Sequence, residues 1–285
     1  MRIASWNINS IRAHMNRLLG FLERHNPDIV CLQETKISDR DFPIMQLGAA
    51  GYYSIPYGQP GYNGVAILIR GITKQRGLVS FSDSAMRKSD YTKKEYEITE
   101  ISRGFAEDPA ENERRVLSAC IGGIRLVNAY VINGEDKKSN KFELKKEWIY
   151  RLGRWLQSFT DHPPILIVGD FNIAPGNPDV WDPIKTKDRI HCTTEERTWL
   201  KEFQGERLLD LFRAVKPESK EYTWWPYTKG GFENNEGLRI DLALGDRSLI
   251  SSIKNIWVDK EEREPDQELG IPSDHAPLII DFNLA

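Results

Sequence analysis

The sequence predicts an α/β fold in which two mostly antiparallel or mixed β-sheets pack face to face with helices outside. Short strand-like segments outnumber helical ones, and many lie too close in the chain for a helical crossover between parallel strands. The 285 residues are 40% hydrophobic, which is enough for a large core. Because no linker and no fixed-period repeat divides the chain, we expect one domain over residues 1–285.

The first half of the chain begins with a strand and a helix. Residues 2–8 alternate, so that Ile3, Ser5 and Asn7 share one side of a strand. Leucines at helical spacing follow in residues 12–25, and Pro27-Asp28 ends that helix. Apolar segments predict further strands at residues 29–32, 64–69 and 115–131, the last folded into a hairpin at Gly122-Gly123.

The second half places two helices among strands. Residues 141–159 carry an apolar stripe at helical spacing, and Thr193 and Glu196 have the spacing of a capping box at the start of another helix. Residues 165–168 form a fully apolar strand that stops at Gly169-Asp170. The remaining pattern predicts strands at residues 221–225, 239–244, 253–258 and 277–282, and irregular stretches at residues 80–112 and 174–192.

Charge and cysteine content limit the function. A net charge of −3 argues against electrostatic binding of nucleic acid over the whole surface, although an acidic metal site can lie beside local basic patches. The three cysteines are far apart and lack metal-site spacing, which is typical of reduced thiols. We find no signal-peptide pattern and no apolar run long enough to span a bilayer, so we expect a cytoplasmic, monomeric protein without a membrane partner.

Polar residues recur where apolar strands end. In a sandwich these ends would gather at one rim, where carboxylates repel one another unless a cation is bound. Oxygen ligands without clustered Cys or His favour Mg²⁺, with Mn²⁺ as a substitute. The residues concerned are Asn7, Glu34, Asp170, Asn172, Asp241, Asp274 and His275.

Several of these residues, and Tyr130 beside them, also have an ordinary structural explanation when taken alone. Asp170 and Asn7 would serve as turn residues, and Glu34 as a solvated strand end. His275 alone would satisfy a backbone carbonyl, and Tyr130 would belong to the core or the sheet surface. A coincidence of the whole set is much harder to explain than any one member, so the set favours a functional site.

At these positions the sequence resembles the exonuclease/endonuclease/phosphatase superfamily, and within it the exonuclease III-type branch that includes abasic-site endonucleases. The matching strings occur in family order over nearly the whole chain. The string Leu32–Lys36 and the aromatic run Tyr222–Trp225 narrow the resemblance to the DNA-directed branch. The other matching strings are Trp6-Asn7-Ile8-Asn9, Tyr62-Asn63-Gly64-Val65-Ala66, Gly169-Asp170-Phe171-Asn172-Ile173, Gly237-Leu238-Arg239-Ile240-Asp241 and Ser273-Asp274-His275-Ala276-Pro277.

The resemblance implies a four-layer α/β sandwich with the site at one edge, in agreement with the strand pattern. It also implies a role for each matching residue. Glu34 resembles the principal metal ligand, helped by Asn7 and Asp274. Asp170 resembles the group that activates or orients the attacking water, although His275 is the alternative base. The remaining implied roles are phosphate binding for Asn172, His275 and Asn133, orientation of the imidazole for Asp241, donation to the phosphate or leaving oxygen for Tyr130, packing against the sugar for Trp224, and substrate binding for Asn9.

The implied activity is magnesium-dependent hydrolysis of double-stranded DNA in repair, at 3′ ends, nicks or abasic sites. Two alternatives remain. A phosphodiesterase of the same superfamily could act on a lipid or inositol phosphate, but Trp224-Trp225 and the absence of a targeting segment count against it. A non-catalytic binding module would have little reason to keep Asp170, Asp241 and His275 together.

One position bears on the choice between DNA reactions. In abasic-site endonucleases of this type, the position just before the helix that matches residues 193–197 tends to be small. Here it is His191, whose imidazole would exclude an internal abasic site while a frayed 3′ end still reaches the metal. We therefore expect 3′-exonuclease activity and 3′-end cleaning rather than abasic incision. The alternative is that His191 points to solvent from a flexible loop.

Two basic segments could contact the DNA backbone. The lysines at the start of the long helix would make binding salt-dependent, unless they form an ordinary solvated face. Residues 80–112 are either a basic arm on DNA or a solvated insertion. The helix lysines are Lys137, Lys138, Lys141, Lys145 and Lys146.

Overall fold

The structure, a computed structural model, describes residues 1–71, 96–159, 163–228 and 230–283, and the backbone of residues 74–75. The strands in chain order are β1 (Arg2–Asn7), β2 (Ile29–Gln33), β3 (Tyr52–Tyr57), β4 (Val65–Arg70), β5 (Lys74–Gln75), β6 (Glu97–Arg103), β7 (Val116–Ile121), β8 (Ile124–Tyr130), β9 (Ile165–Asp170), β10 (Leu208–Asp210), β11 (Asp241–Asp246), β12 (Ile253–Val258) and β13 (Leu278–Phe282). The α-helices are α1 (Met15–His25), α2 (Ile44–Ala49), α3 (Asn140–Gln157), α4 (Thr194–Gln204) and α5 (Leu211–Val215).

The strands form two mixed sheets, as predicted. In the described part of the chain, the first sheet has the order β12-β13-β1-β2-β4-β3 and the second the order β10-β11-β9-β8-β7-β6-β5. Neighbours are mostly antiparallel, but β1 runs parallel to β2, β5 to β6 and β8 to β9. The pairs β1–β2 and β8–β9 are important for function, because parallel strands end at the same edge of a sheet.

Four layers follow from burial on both faces of each sheet. Inward-facing residues such as Cys31 and Val168 belong to one apolar cluster between the sheets. On the outer side of the first sheet, Val30 packs in a cluster with Phe21 of α1. On the outer side of the second sheet, Ile167 packs with Trp148 of α3. Strands that are buried on both faces need near-continuous apolar sequence, which is what β2 and β9 have.

Both long helices next to the second sheet begin at side-chain caps. Ser139 accepts a hydrogen bond from the backbone N–H of Phe142 at the start of α3. Thr193 and Glu196 form the predicted capping box at the start of α4. The caps fix where these helices begin relative to the loops that follow β8 and β9.

Two predicted segments differ from the structure. Residues 221–225 do not form a strand. Trp224 makes only isolated bridges, to Leu238 and to His275, so the segment connects two loops and is not part of a continuous strand ladder. Within the stretch expected to be irregular, residues 97–103 form β6, which pairs with β7. The sequence pattern gives little sign of this strand, because only Ile98 in it is buried. Residues 80–95 of the same stretch lie outside the described residues.

The other predicted elements are confirmed with small shifts at their ends. Residues 174–192 form the predicted irregular connection, interrupted by a short 3₁₀ turn at Asn177–Asp179. The buried Asp179 of that turn accepts hydrogen bonds from Arg213 and Arg239, which anchors the connection to the second sheet. Of the helices that the structure describes, none is long and apolar enough to cross a bilayer.

Candidate active site

The strand ends meet at one rim, as the sequence predicts. Asn7 and Gln33 end the parallel strands β1 and β2, opposite each other in register. Tyr130 and Asp170 end the parallel strands β8 and β9, and Asp241 begins β11 opposite Asp170. The side chain of Asn7 then bridges the two sheets, because its Nδ2 lies 3.0 Å from Asp170 Oδ2.

Asn7 is the buried centre of this rim. Its amide nitrogen donates to Glu34 Oε1 at 2.8 Å as well as to Asp170, and its Oδ1 accepts from the backbone N–H of Asn9 at 3.0 Å. One amide group therefore fixes the relative positions of two carboxylates that belong to different sheets.

Asn172 is held against Asp170 by its own backbone. Its N–H donates to Asp170 Oδ1 at 2.8 Å, and its Nδ2 donates to Val131 O at 3.0 Å. The exposed Asn133 adds a hydrogen bond from its Nδ2 to Asn172 Oδ1 at 3.2 Å. Asn172 has a left-handed backbone with φ of 52°, a conformation that few non-glycine residues adopt and that often marks a functional site.

The glycine before Asp170 allows β9 to approach β8. Gly169 has φ of 144°, and a Cβ atom there would lie 1.8 Å from the carbonyl oxygen of Ala129. Any side chain would therefore push the two strands apart exactly where they deliver Tyr130 and Asp170 to the rim.

The buried His275 lies between two carboxylates. Its Nδ1 lies 2.8 Å from Asp241 Oδ2, and its Nε2 lies 3.8 Å from Asp170 Oδ2. Burial alone would lower the pKa of His275, but the charges of Asp241 and Asp170 outweigh it and raise the pKa well above its usual range. The pKa of Asp170 is also raised, by burial and by the neighbouring Asp241 and Glu34, although the charge of His275 opposes the rise. The ring is therefore an imidazolium at neutral pH.

A second chain of contacts runs along the more exposed side of the rim. Asn9 Nδ2 donates to Asp274 Oδ1 at 2.8 Å, and Trp224 Nε1 donates to Asp274 Oδ2 at 3.0 Å. Lys36 Nζ lies 2.9 Å from Glu34 Oε2 and also bonds Asn9 Oδ1. Lys36 lies within the matching string Leu32–Lys36 but had no predicted role. The signal that could have revealed it is a cation placed two residues after Glu34.

Tyr130 reaches the same rim as a buried phenol. Burial raises its pKa well above the ordinary value, and the charges of Glu34 and Asp170 add to the rise. The Arg115 guanidinium lies over the ring at 4.6 Å from its centroid. Tyr130 therefore stays protonated and is a hydrogen-bond donor at any ordinary pH. Arg115 had no predicted role, because it comes just before β7 whereas Tyr130 ends β8, and only the folded hairpin brings the two residues together.

His191 lies inside the site and not in solvent, so the alternative that it points outward from a flexible loop is wrong. The residue is only 7% exposed, and its Nδ1 lies 2.6 Å from the carbonyl oxygen of Asn172. Its ring centroid is 6.4 Å from that of the half-buried Trp224. Burial and the nearby charge of Lys145 lower the pKa of His191 to about 3. The imidazole is therefore neutral, with Nδ1–H donating to Asn172.

The helix lysines do not form one basic patch. Lys145 is fully buried and forms an ion pair with Glu196, so it does not face DNA. Lys137 pairs with Glu195 and Lys141 pairs with Glu135 on the surface. Lys138 and Lys146 are exposed. The position of Lys145, three residues after the buried Phe142 and four before the buried Ile149, places it on the apolar stripe, and that spacing could have revealed its burial.

The rim offers oxygen donors that suit a hard divalent ion. Among the residues described, no three His, Cys, Asp or Glu side chains converge as a ready-made metal cluster. The predicted ligands are instead two carboxylates and an amide, namely Glu34, Asp274 and Asn7, linked through Asn9. The pKa of Asp170 is raised first by burial and then by the negative charges of Asp241 and Glu34, and a hard cation with its remaining water ligands would relieve the part that comes from charge. The donor set therefore fits.

An acidic rim, an Asp–His pair and convergent amide donors define a hydrolase of phosphate esters. The chain belongs to the endonuclease/exonuclease/phosphatase family, whose model matches residues 4–275, and to its exodeoxyribonuclease III-type branch. Metal dependence is typical of this family.

Three relatives illustrate the similarity. Exodeoxyribonuclease III of Haemophilus influenzae is 30% identical over 295 aligned residues, which cover 99% of this chain and 100% of the relative. The 3′ phosphatase NExo from Neisseria, solved with a product DNA hairpin, is 33% identical with a TM-score of 0.86, over 99% of both chains. An AP endonuclease from Archaeoglobus fulgidus is 31% identical with a TM-score of 0.84, again over 99% of both chains. The prediction of a DNA-hydrolysing repair enzyme of the exonuclease III type is thereby confirmed.

Proposed function

We propose that the protein is a magnesium-dependent phosphodiesterase whose main activity is removal of nucleotides and blocking groups from 3′ ends of duplex DNA. The observation that carries this choice is the buried, neutral His191 between Asn172 and Trp224. Similarity does not choose between reactions, because the Neisseria 3′ phosphatase and the Archaeoglobus AP endonuclease are about equally similar to this chain.

The position of His191 supports selection by the shape of the sugar pocket. Trp224 would pack against the sugar next to the scissile phosphate, and the His191 ring lies in an edge contact beside Trp224, with 6.4 Å between the ring centroids. An internal abasic sugar must be turned out of the duplex into a compact pocket. A 3′-terminal nucleotide has no downstream strand and can approach from the open side, so the imidazole excludes the first substrate more than the second.

The remaining residues support hydrolysis of a phosphodiester. Asp170, with its raised pKa and its hydrogen-bonded position, would take the proton from the attacking water. The imidazolium of His275 and the amides of Asn172 and Asn133 would donate to the non-bridging oxygens, where charge develops. Tyr130 would donate to the leaving oxygen.

In this reaction the water oxygen bonds to phosphorus as the bond to the 3′ oxygen breaks. The shortened strand keeps a 3′ hydroxyl, and the released nucleotide keeps the phosphate. Mg²⁺ held by Glu34, Asn7 and Asp274, with Mn²⁺ as a substitute, would neutralise charge on the phosphate. Asn9 would position Asp274 and the substrate strand beside it.

The direct test uses the unmodified protein on 3′-recessed, 3′-phosphorylated and abasic duplexes, each with Mg²⁺ or with EDTA. The proposal expects shortening of the recessed strand and release of the 3′ phosphate, both requiring metal, with much slower abasic incision. Asp170→Asn serves as the control for contaminating nucleases. Efficient abasic incision with little 3′-end processing would instead support the AP endonuclease alternative.

Location and assembly are also part of the proposal. All three cysteines are buried free thiols, which is in keeping with a reducing compartment such as the cytoplasm. We expect one chain, folded as a single domain over residues 1–285, to act alone on double-stranded DNA. Light scattering after size exclusion tests the monomer.

A further inference from the structure

A buried lysine lies directly beneath the loops that carry the phosphate-binding amides. Lys145 of α3 has no exposed surface. Its Nζ donates to the carbonyl oxygens of Asn172 at 2.8 Å and Asn133 at 3.1 Å, and to Glu196 Oε1 at 2.5 Å. All three N–H groups of the ammonium thus have acceptors, and two of them are backbone oxygens of the loops after β8 and β9.

Glu196 connects this lysine to the loop of His191. Glu196 Oε1 accepts a hydrogen bond from the Lys145 ammonium. Its Oε2 accepts from the backbone N–H and the hydroxyl of Thr193 in the capping box at the start of α4. His191 lies two residues before Thr193, and its Nδ1 donates to the same Asn172 carbonyl that accepts from Lys145. Two helices and two loops therefore meet at one ammonium group.

Stability alone does not explain an ammonium at this position. Burial lowers the pKa of Lys145, and the charge and hydrogen bond of Glu196, with a smaller contribution from the charge of Asp170, offset only part of that cost. Apolar residues of similar volume often replace a buried ion pair without loss of stability. What an apolar residue cannot supply is two hydrogen bonds to carbonyl oxygens of separate loops, which fix the distance between those loops.

We propose that Lys145, held by Glu196, is a positioning residue that sets the two phosphate-binding loops and the His191 side chain in register with one another. This rests on the proposed function only in assigning Asn172 and Asn133 to the phosphate. Without the ammonium, the loops that carry Asn172 and Asn133 lose the two backbone hydrogen bonds that fix the distance between them. Because a shift of about 1 Å at a reacting group can cost about 10²-fold in rate, kcat falls by that order while KM for DNA changes little.

A matched pair of variants separates positioning from structural support. Lys145→Met keeps the volume but leaves the Glu196 charge buried and unpaired, so it loses both Tm and kcat. Lys145→Met/Glu196→Gln removes both charges and keeps an acceptor for the capping box, so it regains Tm. If Lys145 positions the loops, kcat of the double variant stays about 10²-fold low with unchanged KM. Return of kcat to the wild-type value together with Tm would overturn the proposal. Lys201→Met, on the exposed side of α4, is the control.

A readout independent of activity comes from the ¹⁵N NMR signals of His191. In the wild type, the ring is expected to be neutral at neutral pH with the proton on Nδ1, because Nδ1 donates to the shared carbonyl. In the double variant, loss of the neighbouring ammonium raises the pKa of His191. A wild-type ring protonated on Nε2 would contradict the shared carbonyl even if no variant folds. Because these NMR signals do not depend on activity, they test the effect of Lys145 on His191 regardless of whether the enzyme prefers 3′ ends or abasic sites.

Discussion

His275 lies between Asp241 and Asp170, with Nδ1 2.8 Å from Asp241 Oδ2 and Nε2 3.8 Å from Asp170 Oδ2. The backbone N–H of Asp241 in turn donates to the Thr223 hydroxyl at 3.0 Å, so the backbone that carries the orienting carboxylate is itself fixed. The pair has the orienting geometry of a Ser-His-Asp triad without the serine. An imidazolium so placed would donate to the phosphate and would not act as the base.

Removing the orienting charge should therefore reduce the rate more than the stability of the fold. We expect Asp241→Asn to lower kcat by about 10²- to 10⁴-fold, because His275 loses the charge that keeps its ring protonated and fixes its orientation. Circular dichroism should show a folded protein. Rates of 3′-end processing close to wild type would show that Asp241 does not orient His275 in the reaction.

Metal removal should abolish activity. Without Mg²⁺ or Mn²⁺ the carboxylates at the rim repel the phosphodiester, so EDTA should stop cleavage and added Mg²⁺ should restore it. Glu34→Gln should raise the Mg²⁺ concentration needed for half-maximal rate, whereas Asp170→Asn and His275→Ala should remove most activity at any Mg²⁺ concentration. Undiminished cleavage in EDTA, or wild-type rates in both of the latter variants, would be incompatible with the assigned roles.

His191 should make the protein sensitive to acid. The pKa of its imidazole is about 3 in the folded state against 6.5 for the free group, so the unfolded chain takes up a proton that the folded chain does not. The free energy of unfolding therefore falls as the pH drops from about 6.5 toward about 3, by up to about 1.4 kcal/mol per pH unit from this group.

His191→Gln should remove this contribution, since glutamine does not titrate. Urea unfolding of the wild type and the variant at pH 8 and pH 5 gives the comparison. The wild type should lose more stability than the variant between these two conditions. Equal losses would mean that His191 titrates normally and is not buried as described.

Salt dependence tests which surface lysines contact DNA. Lysines that reach a phosphate each contribute about 0.9 to the slope of log K against log salt. Replacing Lys137, Lys138, Lys141 and Lys146 by alanine, while leaving the buried Lys145, should make the slope shallower. The exposed pairs with Glu195 and Glu135 are weak enough for the lysines to exchange partners. An unchanged slope would identify this helix face as merely solvated.

The sequence was most informative where local pattern and strand order agree. Asn7, Glu34 and Asp170 could be placed at one rim because each follows an apolar strand, and strand ends gather wherever parallel strands are neighbours. The capping box at Thr193 and Glu196 was equally readable, since it depends on a spacing of three residues.

The sequence was least informative where tertiary contacts decide. Lys145 reads as one of five surface lysines, and only the packing of α3 on α4 shows that it is buried against Glu196. The segment at Trp224 looks like a strand, but its backbone bonds are shared between Leu238 and His275. The orientation of His191 depends on the Asn172 carbonyl, nineteen residues earlier, and is not encoded in its neighbours.

The most direct test of the preference for 3′ ends is a comparison of the wild type with His191→Gly on an abasic duplex and on a 3′-recessed duplex, with Mg²⁺ present. Opening the space beside Trp224 should give the variant abasic incision that the wild type lacks, while 3′-exonuclease activity is retained. Single-turnover rates on each duplex measure both effects. Efficient abasic incision by the wild type, or no gain of incision in a folded and exonuclease-active variant, would contradict the assignment of His191 as the residue that excludes abasic sites.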